Sequence, residues 1–465
     1  LHGPIRQSWR PLGTFLKKIR RNYRFSRFNS SIISLAIPVV LAMVSQTVVW
    51  STDSIMVGYL GKEALAAIGM GGVTYYTLIA FLIGFSMGIQ IIVARRFGEG
   101  RPQEIGKIGV TTLYFSSVLG VAITALGIGI AGPLMDLMGA DKGVVLLGES
   151  YLTYRFIGSG FYFISFCFRG FLDGLGFTMA GFVSMAVTTL SNILFNWILI
   201  YGNWGAPAMG MAGAGLASSL AGLAGLCVFP FFLFKHGAET YFRGISFLPS
   251  RAHLFEILRT GIPPGLEEGF VNIAFMIFVK FQGMISILSV AASNILFSTL
   301  SMAFLPGYAF GVAATTLLGQ AMGAKKFKLA YHAAFRSAFF SAHMMGLVGI
   351  AFIVFGRNIL KVYTQDQQLI DECYPALVLL GVIQVGDAYH MVIGAALRGA
   401  GLQIRVFRIY MLLTYLVMLP CAYLFGIYLK GGTLGIWAAI FVWIATLSAT
   451  FVIEFRRKKW VGGTV

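Results

Sequence analysis

The sequence predicts an all-α polytopic membrane protein: twelve transmembrane helices in two six-helix lobes, related by a pseudo-twofold axis along the membrane normal. Three observations predict it. Hydrophobic residues make up 57% of the 465-residue chain and charged residues 11%, less than half the roughly 25% of a soluble chain. Apolar runs long enough to cross a bilayer, about 20 residues each, recur along the whole sequence, and the mean hydropathy is +0.81. The second half also repeats the first. This composition excludes a soluble enzyme, a disordered scaffold and a small secreted fold.

Apolar runs between Gly, Pro and charged punctuation place the first six spans near 32–60, 65–93, 108–131, 144–169, 178–201 and 210–234. The second six fall near 256–284, 287–319, 329–355, 372–397, 404–428 and 433–455. No water satisfies backbone groups in a bilayer core, so spans of this length must be helical. The expected organisation is a basic cytoplasmic arm (1–31), a first lobe (32–235), a cytoplasmic connector (236–255), a second lobe (256–455) and a basic cytoplasmic tail (456–465). The basic stretch from Arg6 to Arg27 runs straight into a long apolar span, which argues against a cleavable signal peptide.

Charge tests this layout. A formal net charge of +18 raises the question of nucleic acid, but the basic residues follow membrane topology instead. With the N-terminus inside, 28 of the 35 Lys and Arg fall in cytoplasmic segments, among them Arg95, Arg96, Arg101, Arg169, Lys325, Lys326 and Arg398. Five lie outside, and Arg155 and Lys280 lie within spans. Both termini are therefore expected in the cytoplasm of a bacterial inner membrane, with the lipid bilayer as partner and no nucleic acid. The four cysteines show no metal-ligand or redox spacing and read as small core residues.

Ala36-Ile37-Pro38 echoes Gly261-Ile262-Pro263 at an offset of 225, which also carries Phe85 to Phe310, Gly98 to Gly323 and Arg101 to Lys326. Arg169-Gly170 returns as Arg398-Gly399 at an offset of 229. Six crossings bring the chain back to its starting side, so the two lobes share one orientation. Parallel repeats of this kind, with a site between them, are a transporter architecture.

Ionisable groups at membrane depth cost about 2.5–3.5 kcal/mol each on insertion scales and mark candidate sites. Asp53 lies in the outer half of the first span, and Gln46, Trp50 and Asp53, spaced 4 and 3 apart, share one helix face. Pro38 frees a backbone carbonyl there. Asn192 and Asn196 form an i, i+4 pair in the fifth span. Two carboxamides facing a buried carboxylate supply oxygens to a hard cation, such as Na⁺ at Asp53, Asn192 and Asn196, or hydrogen bonds that tune proton affinity. The bland alternative is that they bind helices together.

In the second half, Glu267 and Glu268 follow Pro263-Pro264, and Asp387 and His390 sit inside the tenth span. Glu267 and Glu268 fall toward the cytoplasmic end of their helix, where a solvated role competes with a functional one. Glu149 and Arg155 lie in the outer half of the fourth span, and mutual neutralisation is the bland alternative to a functional role there. Gly84-Phe85-Ser86-Met87-Gly88 fits the pattern of a hydrolase nucleophile elbow, but that motif needs a strand-turn-helix context. Inside an apolar helix it reads as a G-x-x-x-G close-packing stripe. Gly100 to Lys107 resembles a phosphate loop with one residue too many.

The stretch PVVLAMVSQTVVWSTDSIMVG from Pro38 resembles the first helix of the multidrug and toxic compound extrusion (MATE) family. RGFLDGLG from Arg169, NILFNWILIYGNWGAPAMGMAGAGLASS from Asn192, and DAYHMVIGAALRG from Asp387 are similar to further segments of that family. The resemblance implies twelve helices in a V-shaped pair of lobes. It implies a secondary active antiporter exporting organic, often cationic, drugs and toxic compounds in exchange for Na⁺ or H⁺. Its partners would be small-molecule substrates, with no cofactor beyond the coupling ion, no catalysis and a monomeric state. Asp53 matches the family's first-lobe acid, with Asn192 and Asn196 as partners. Gln46 matches a cavity polar residue, with Trp50, Glu267 and Glu268 as further cavity candidates. Asp387 matches the second-lobe acid of the NorM-like branch. That branch places an aromatic hydroxyl where this chain has Ile383, and a further acid where it has Val271. A lipid-linked precursor flippase of the same superfamily is the alternative, and an intramembrane enzyme a remote one.

Overall fold

The computed structural model describes residues 25–138, 141–235 and 239–462. The arm before Phe25, including the basic residues from Arg6 to Arg24, lies outside the described residues, as do 236–238 of the connector and the last three residues of the tail. Among the described residues the chain is helical, without strands. Eleven helical stretches are long and apolar enough to cross a membrane. The remaining span is present as two shorter helices, and the chain is a twelve-span membrane protein.

The first spans are α1 (Phe25–Gly58), α2 (Lys62–Glu99) and α3 (Pro102–Leu137). The expected fourth span is two helices, α4 (Lys142–Ile157) and α5 (Ser159–Leu175), followed by α6 (Thr178–Tyr201), α7 (Gly210–Leu226), α8 (Val228–Lys235) and α9 (Glu239–Phe242). Then come α10 (Arg251–Ile285), α11 (Ile287–Ala303), α12 (Leu305–Gly323), α13 (Phe327–Lys361), α14 (Gln367–Gly399), α15 (Gln403–Leu413), α16 (Leu419–Ala422) and α17 (Gly432–Arg456). Wide π turns occupy Thr414–Met418 and Tyr423–Tyr428 on either side of α16.

Most helices outrun the apolar windows read from sequence. The 38 residues of α2 rise about 57 Å at 1.5 Å per residue, against about 30 Å of hydrocarbon. Charged residues end an apolar window without ending a helix, so Arg95, Arg96 and Glu99 continue α2. The break in the fourth span has a local cause. Gly158-Ser159-Gly160 is poor helix former, and Ser159 Oγ donates back to Phe156 O at 2.6 Å, an alternative to the helical ladder. Gly158 is also held against α7: a Cβ there would lie 2.5 Å from Ser219 Oγ.

The chain divides into two compact units, one from Pro38 to Gly265 and the other from Leu266 onward together with the opening of α1 up to Ile37. Both divisions fall at the prolines of the internal repeat, Pro38 and Pro263-Pro264. In the first unit, G-x-x-x-G on α2 packs helices at minimal separation. A Cβ on Gly88 would lie 2.8 Å from Gly261 N, and Ser86 Oγ donates to Phe166 O of α5 at 2.6 Å. The serine is a packing residue, as its helical context predicts. Arg96 ties three elements together through Glu99 (3.1 Å), Glu104 (2.9 Å) and Glu256 (2.9 Å). In the second unit, Trp437, Phe451 and Phe455 of α17 are fully buried. Trp437 Nε1 donates to Ser293 Oγ of α11 at 3.0 Å, which satisfies the indole inside an apolar core. Arg336 of α13 donates to Asn29 Oδ1 of α1 at 3.0 Å.

Of the cysteines, Cys167 and Cys373 are buried as expected, but Cys227 is exposed and Cys421 partly so. Cys227 caps the end of α7, where the chain turns into α8 and no neighbouring element covers it.

Candidate functional site in the first unit

α1, α6 and α7 bring a carboxylate, two carboxamides and a hydroxyl together. Asp53 is 5% exposed, and Asn192 and Asn196 are fully buried. Asn196 Nδ2 donates to Asp53 Oδ1 at 2.6 Å and to Asn192 Oδ1 at 3.2 Å. Asn192 Nδ2 donates to Ser218 Oγ of α7 at 3.2 Å. The i, i+4 spacing puts both amides on one face of α6, and the chain's next span delivers the serine. Among the described residues, Asn196 Oδ1 is buried without a hydrogen-bond partner. A free carbonyl oxygen one residue from a buried carboxylate is a ready ligand for a hard cation or an acceptor for a protonated acid.

Gln46 and Trp50 stand apart from this cluster. Gln46 is half-buried, and Trp50 is 50% exposed with its ring edge-on to Tyr76 at 6.0 Å. The shared helix face is real in spacing, yet Asp53 alone of the three turns into the packed interior.

The pairing of Glu149 with Arg155 is overturned. Glu149 is exposed, whereas Arg155 is 6% exposed. Six residues along a helix correspond to about 240° of rotation, so the two side chains leave opposite flanks of α4. Arg155 instead sits over the rings of Tyr75 (4.8 Å) and Tyr162 (5.1 Å) and acts electrostatically on Asp53. No ion pair within 4.0 Å links it to Asp53 among the described residues. Sequence reading missed this neighbour because Tyr75, Arg155 and Tyr162 come from three helices; the one signal was a basic residue inside an apolar span.

The second unit holds another buried network. Asp387 Oδ1 meets His390 Nδ1 at 2.9 Å, and His390 Nε2 meets the Tyr410 hydroxyl of α15. Arg398 lies over the Tyr410 ring at 5.4 Å and pairs with Glu267 of α10. Tyr410 supplies an aromatic hydroxyl from α15, whereas Ile383 and Val271 contribute none. Two expectations change here. Glu267 is 6% exposed rather than solvated, and Arg398, counted with the cytoplasmic basic residues, is 7% exposed. The two compensate each other's charge, which is what allows either to be buried. Glu268, on the opposite side of α10, is exposed. The side chain of Gln384, one turn before Asp387, is buried with neither amide atom paired.

A family model, MatE, matches residues 38–198 and 263–424. The two matched segments begin 225 residues apart, the same spacing as the internal repeat. A probable multidrug resistance protein NorM of Thermotoga maritima is 25% identical over 437 residues, covering 92% of both chains. A probable multidrug resistance protein NorM of Pseudomonas syringae pv. tomato is 26% identical over 454 residues, covering 93% of this chain and 97% of that one. Among solved structures, a MOP superfamily transporter of Pyrococcus furiosus, described as having a binding pocket of reversed polarity, matches with a TM-score of 0.85 and 25% identity. That match covers 94% of this chain and 97% of the other. An outward-facing multidrug resistance transporter of the same superfamily matches with a TM-score of 0.84 and 25% identity, over 93% and 96% of the two chains.

Proposed function

Since the chain belongs to the MatE family of membrane transporters, we propose that it exports organic, often cationic, compounds in exchange for Na⁺ or H⁺ by alternating access. The membrane is a bacterial inner membrane with both termini cytoplasmic. The observation that carries the coupling part is the buried cluster of Asp53, Asn196, Asn192 and Ser218, an acid retained among transmembrane helices without an ion-pair partner in contact.

Asp53 is the group that changes occupancy. Ionised, it accepts the Asn196 amide and draws a cation toward the free Asn196 Oδ1. A proton needs the carboxylate alone; Na⁺ also recruits carboxamide and hydroxyl oxygens, all of which this cluster contains. The outward-facing state takes the cation and the inward-facing state releases it. Linkage requires that cation and cargo each weaken the other's binding, through competition or opposite state preference. Within the first unit the half-buried Gln46 and the exposed Trp50 are candidate contacts for a cationic substrate, and within the second unit Asp387 with His390 and the exposed Glu268 are candidates in their own right.

Proteoliposomes loaded with a cationic dye, with Na⁺ and pH gradients imposed separately, test the proposal. One gradient should drive efflux, and Asp53→Asn should abolish it while the protein stays folded. Undiminished gradient-driven transport by that variant would refute the role of Asp53.

A further inference from the structure

Arg155 is the least expected group in the first unit. Its guanidinium is buried, and among the described residues Nε and Nη1 find no hydrogen-bond acceptor, although the side chain also interacts with the Tyr162 hydroxyl. A buried unpaired charge is strongly destabilising unless something compensates it. Three features do so. The Tyr75 and Tyr162 rings present their electron-rich faces to the guanidinium. Arg155 lies in the last turn of α4, where the helix macrodipole favours a cation, and the break at Gly158 is what ends the helix there. Asp53 is the carboxylate whose charge acts on it.

Architecture fixes the two groups relative to one another through adjacent residues of α7. Ser218 Oγ accepts from Asn192, which holds Asn196 against Asp53. Ser219 Oγ donates to Tyr154 O at 2.6 Å and Arg155 O at 3.3 Å. One turn of α7 thus carries both the acid's network and the end of the helix that bears the arginine. The groups acting on Asp53 are Asn192 and Asn196 from α6, Ser218 from α7, Arg155 and Tyr151 from α4, and Tyr162 from α5. Arg155 is the one permanent charge among them.

We infer that Arg155 is a built-in counter-cation of the Asp53 pocket, a specificity-setting residue that weakens the pocket's hold on the transported cation so that it is released. This rests on the reading of Asp53 as the coupling acid. A proton or Na⁺ arriving at Asp53 must displace part of the compensation that Arg155 already provides, and must meet its repulsion. The guanidinium is kept out of direct contact by its aromatic seat, so it lowers affinity without closing the site.

The test is ethidium efflux from proteoliposomes as a function of external Na⁺ and of pH, for the wild type, Arg155→Gln, Arg155→Met and Arg155→Lys. Removing the charge should lower the half-saturating concentration of the coupling cation about ten-fold, from the size of a unit charge's effect at an effective dielectric near 20. The maximal rate should fall as release slows. Arg155→Lys should stay closer to wild type than either neutral variant, because it keeps a positive charge while losing the planar guanidinium that stacks on the rings. Arg155→Met fills the same volume without a buried polar group and serves if Arg155→Gln does not fold. A half-saturating concentration that is unchanged or raised in the neutral variants, with Asp53→Asn inactive, overturns the inference alone. Retained coupling in Asp53→Asn overturns the reading beneath it.

Discussion

Asn196 holds Asp53 by its amide nitrogen at 2.6 Å while its own carbonyl oxygen, equally buried, has no partner among the described residues. The donated hydrogen bond favours the ionised carboxylate, and a buried carbonyl oxygen without a protein partner carries a desolvation cost. A cation or an acid proton relieves that cost.

Replacing Asn196 by Ala removes both roles. The coupling cation's affinity should fall about ten- to a hundred-fold, the equivalent of the roughly 1.5–3 kcal/mol of a hydrogen bond to a charged group. Half-saturation in the efflux assay measures it. Wild-type half-saturation would show that the amide only holds helices together.

Ser218→Ala should act more mildly. Its hydroxyl accepts from Asn192 at 3.2 Å and also hydrogen-bonds the Asp53 carboxyl, so a net loss of about 0.5–1.5 kcal/mol is expected, read as a two- to ten-fold weaker cation dependence. An effect as large as that of Asn196→Ala would make Ser218 a direct ligand.

Glu267→Gln should destabilise the second unit, because it leaves Arg398 buried and uncompensated. Breaking a buried pair costs about 3–5 kcal/mol, whereas replacing both partners with apolar residues is often neutral. Thermal unfolding in detergent should therefore drop sharply for Glu267→Gln and recover in the double variant Glu267→Leu with Arg398→Met. A single variant as stable as wild type would mean that the pair carries no structural role.

Gly88→Val should lower thermal stability by about 1–3 kcal/mol, the usual cost of overpacking, since a Cβ there already lies 2.8 Å from Gly261 N. Ser86→Ala should leave dye efflux intact, because its hydroxyl serves only Phe166 O in the described structure. Loss of transport in a folded Ser86→Ala protein would reopen the question of chemistry at that serine.

The spans and the Asn192–Asn196 pair were legible because each rests on local spacing, the repeat because its motifs return at one offset, and the meeting of Asp53 with Asn196, 143 positions away, through the family resemblance. An i, i+4 pair fixes a helix face whatever surrounds it, and an apolar run long enough to cross a bilayer has few alternatives. What escaped depends on packing between distant segments. Arg155 and Glu149 looked like partners by proximity in sequence, but helical rotation parts them and three helices build the aromatic seat. Arg398 looked like a loop charge because it stands beside Gly399, and its contacts with Glu267, 131 positions away, and with the Tyr410 ring explain its burial. Tyr410 gave no sign in sequence, since nothing local marks a hydroxyl that will meet a histidine 20 residues earlier.

The π turns at Thr414–Met418 and Tyr423–Tyr428 have a practical outcome for anyone comparing this chain with its relatives. A π bulge amounts to one inserted residue within an α-helix, and each insertion rotates everything beyond it by about 100°. Counting forward from Tyr410 therefore assigns the wrong flank to Tyr423 and its neighbours. Against a relative whose helix lacks these turns, an alignment that places no gap there exchanges lipid-facing for inward-facing positions, so equivalences across this stretch are best drawn from superposed backbones.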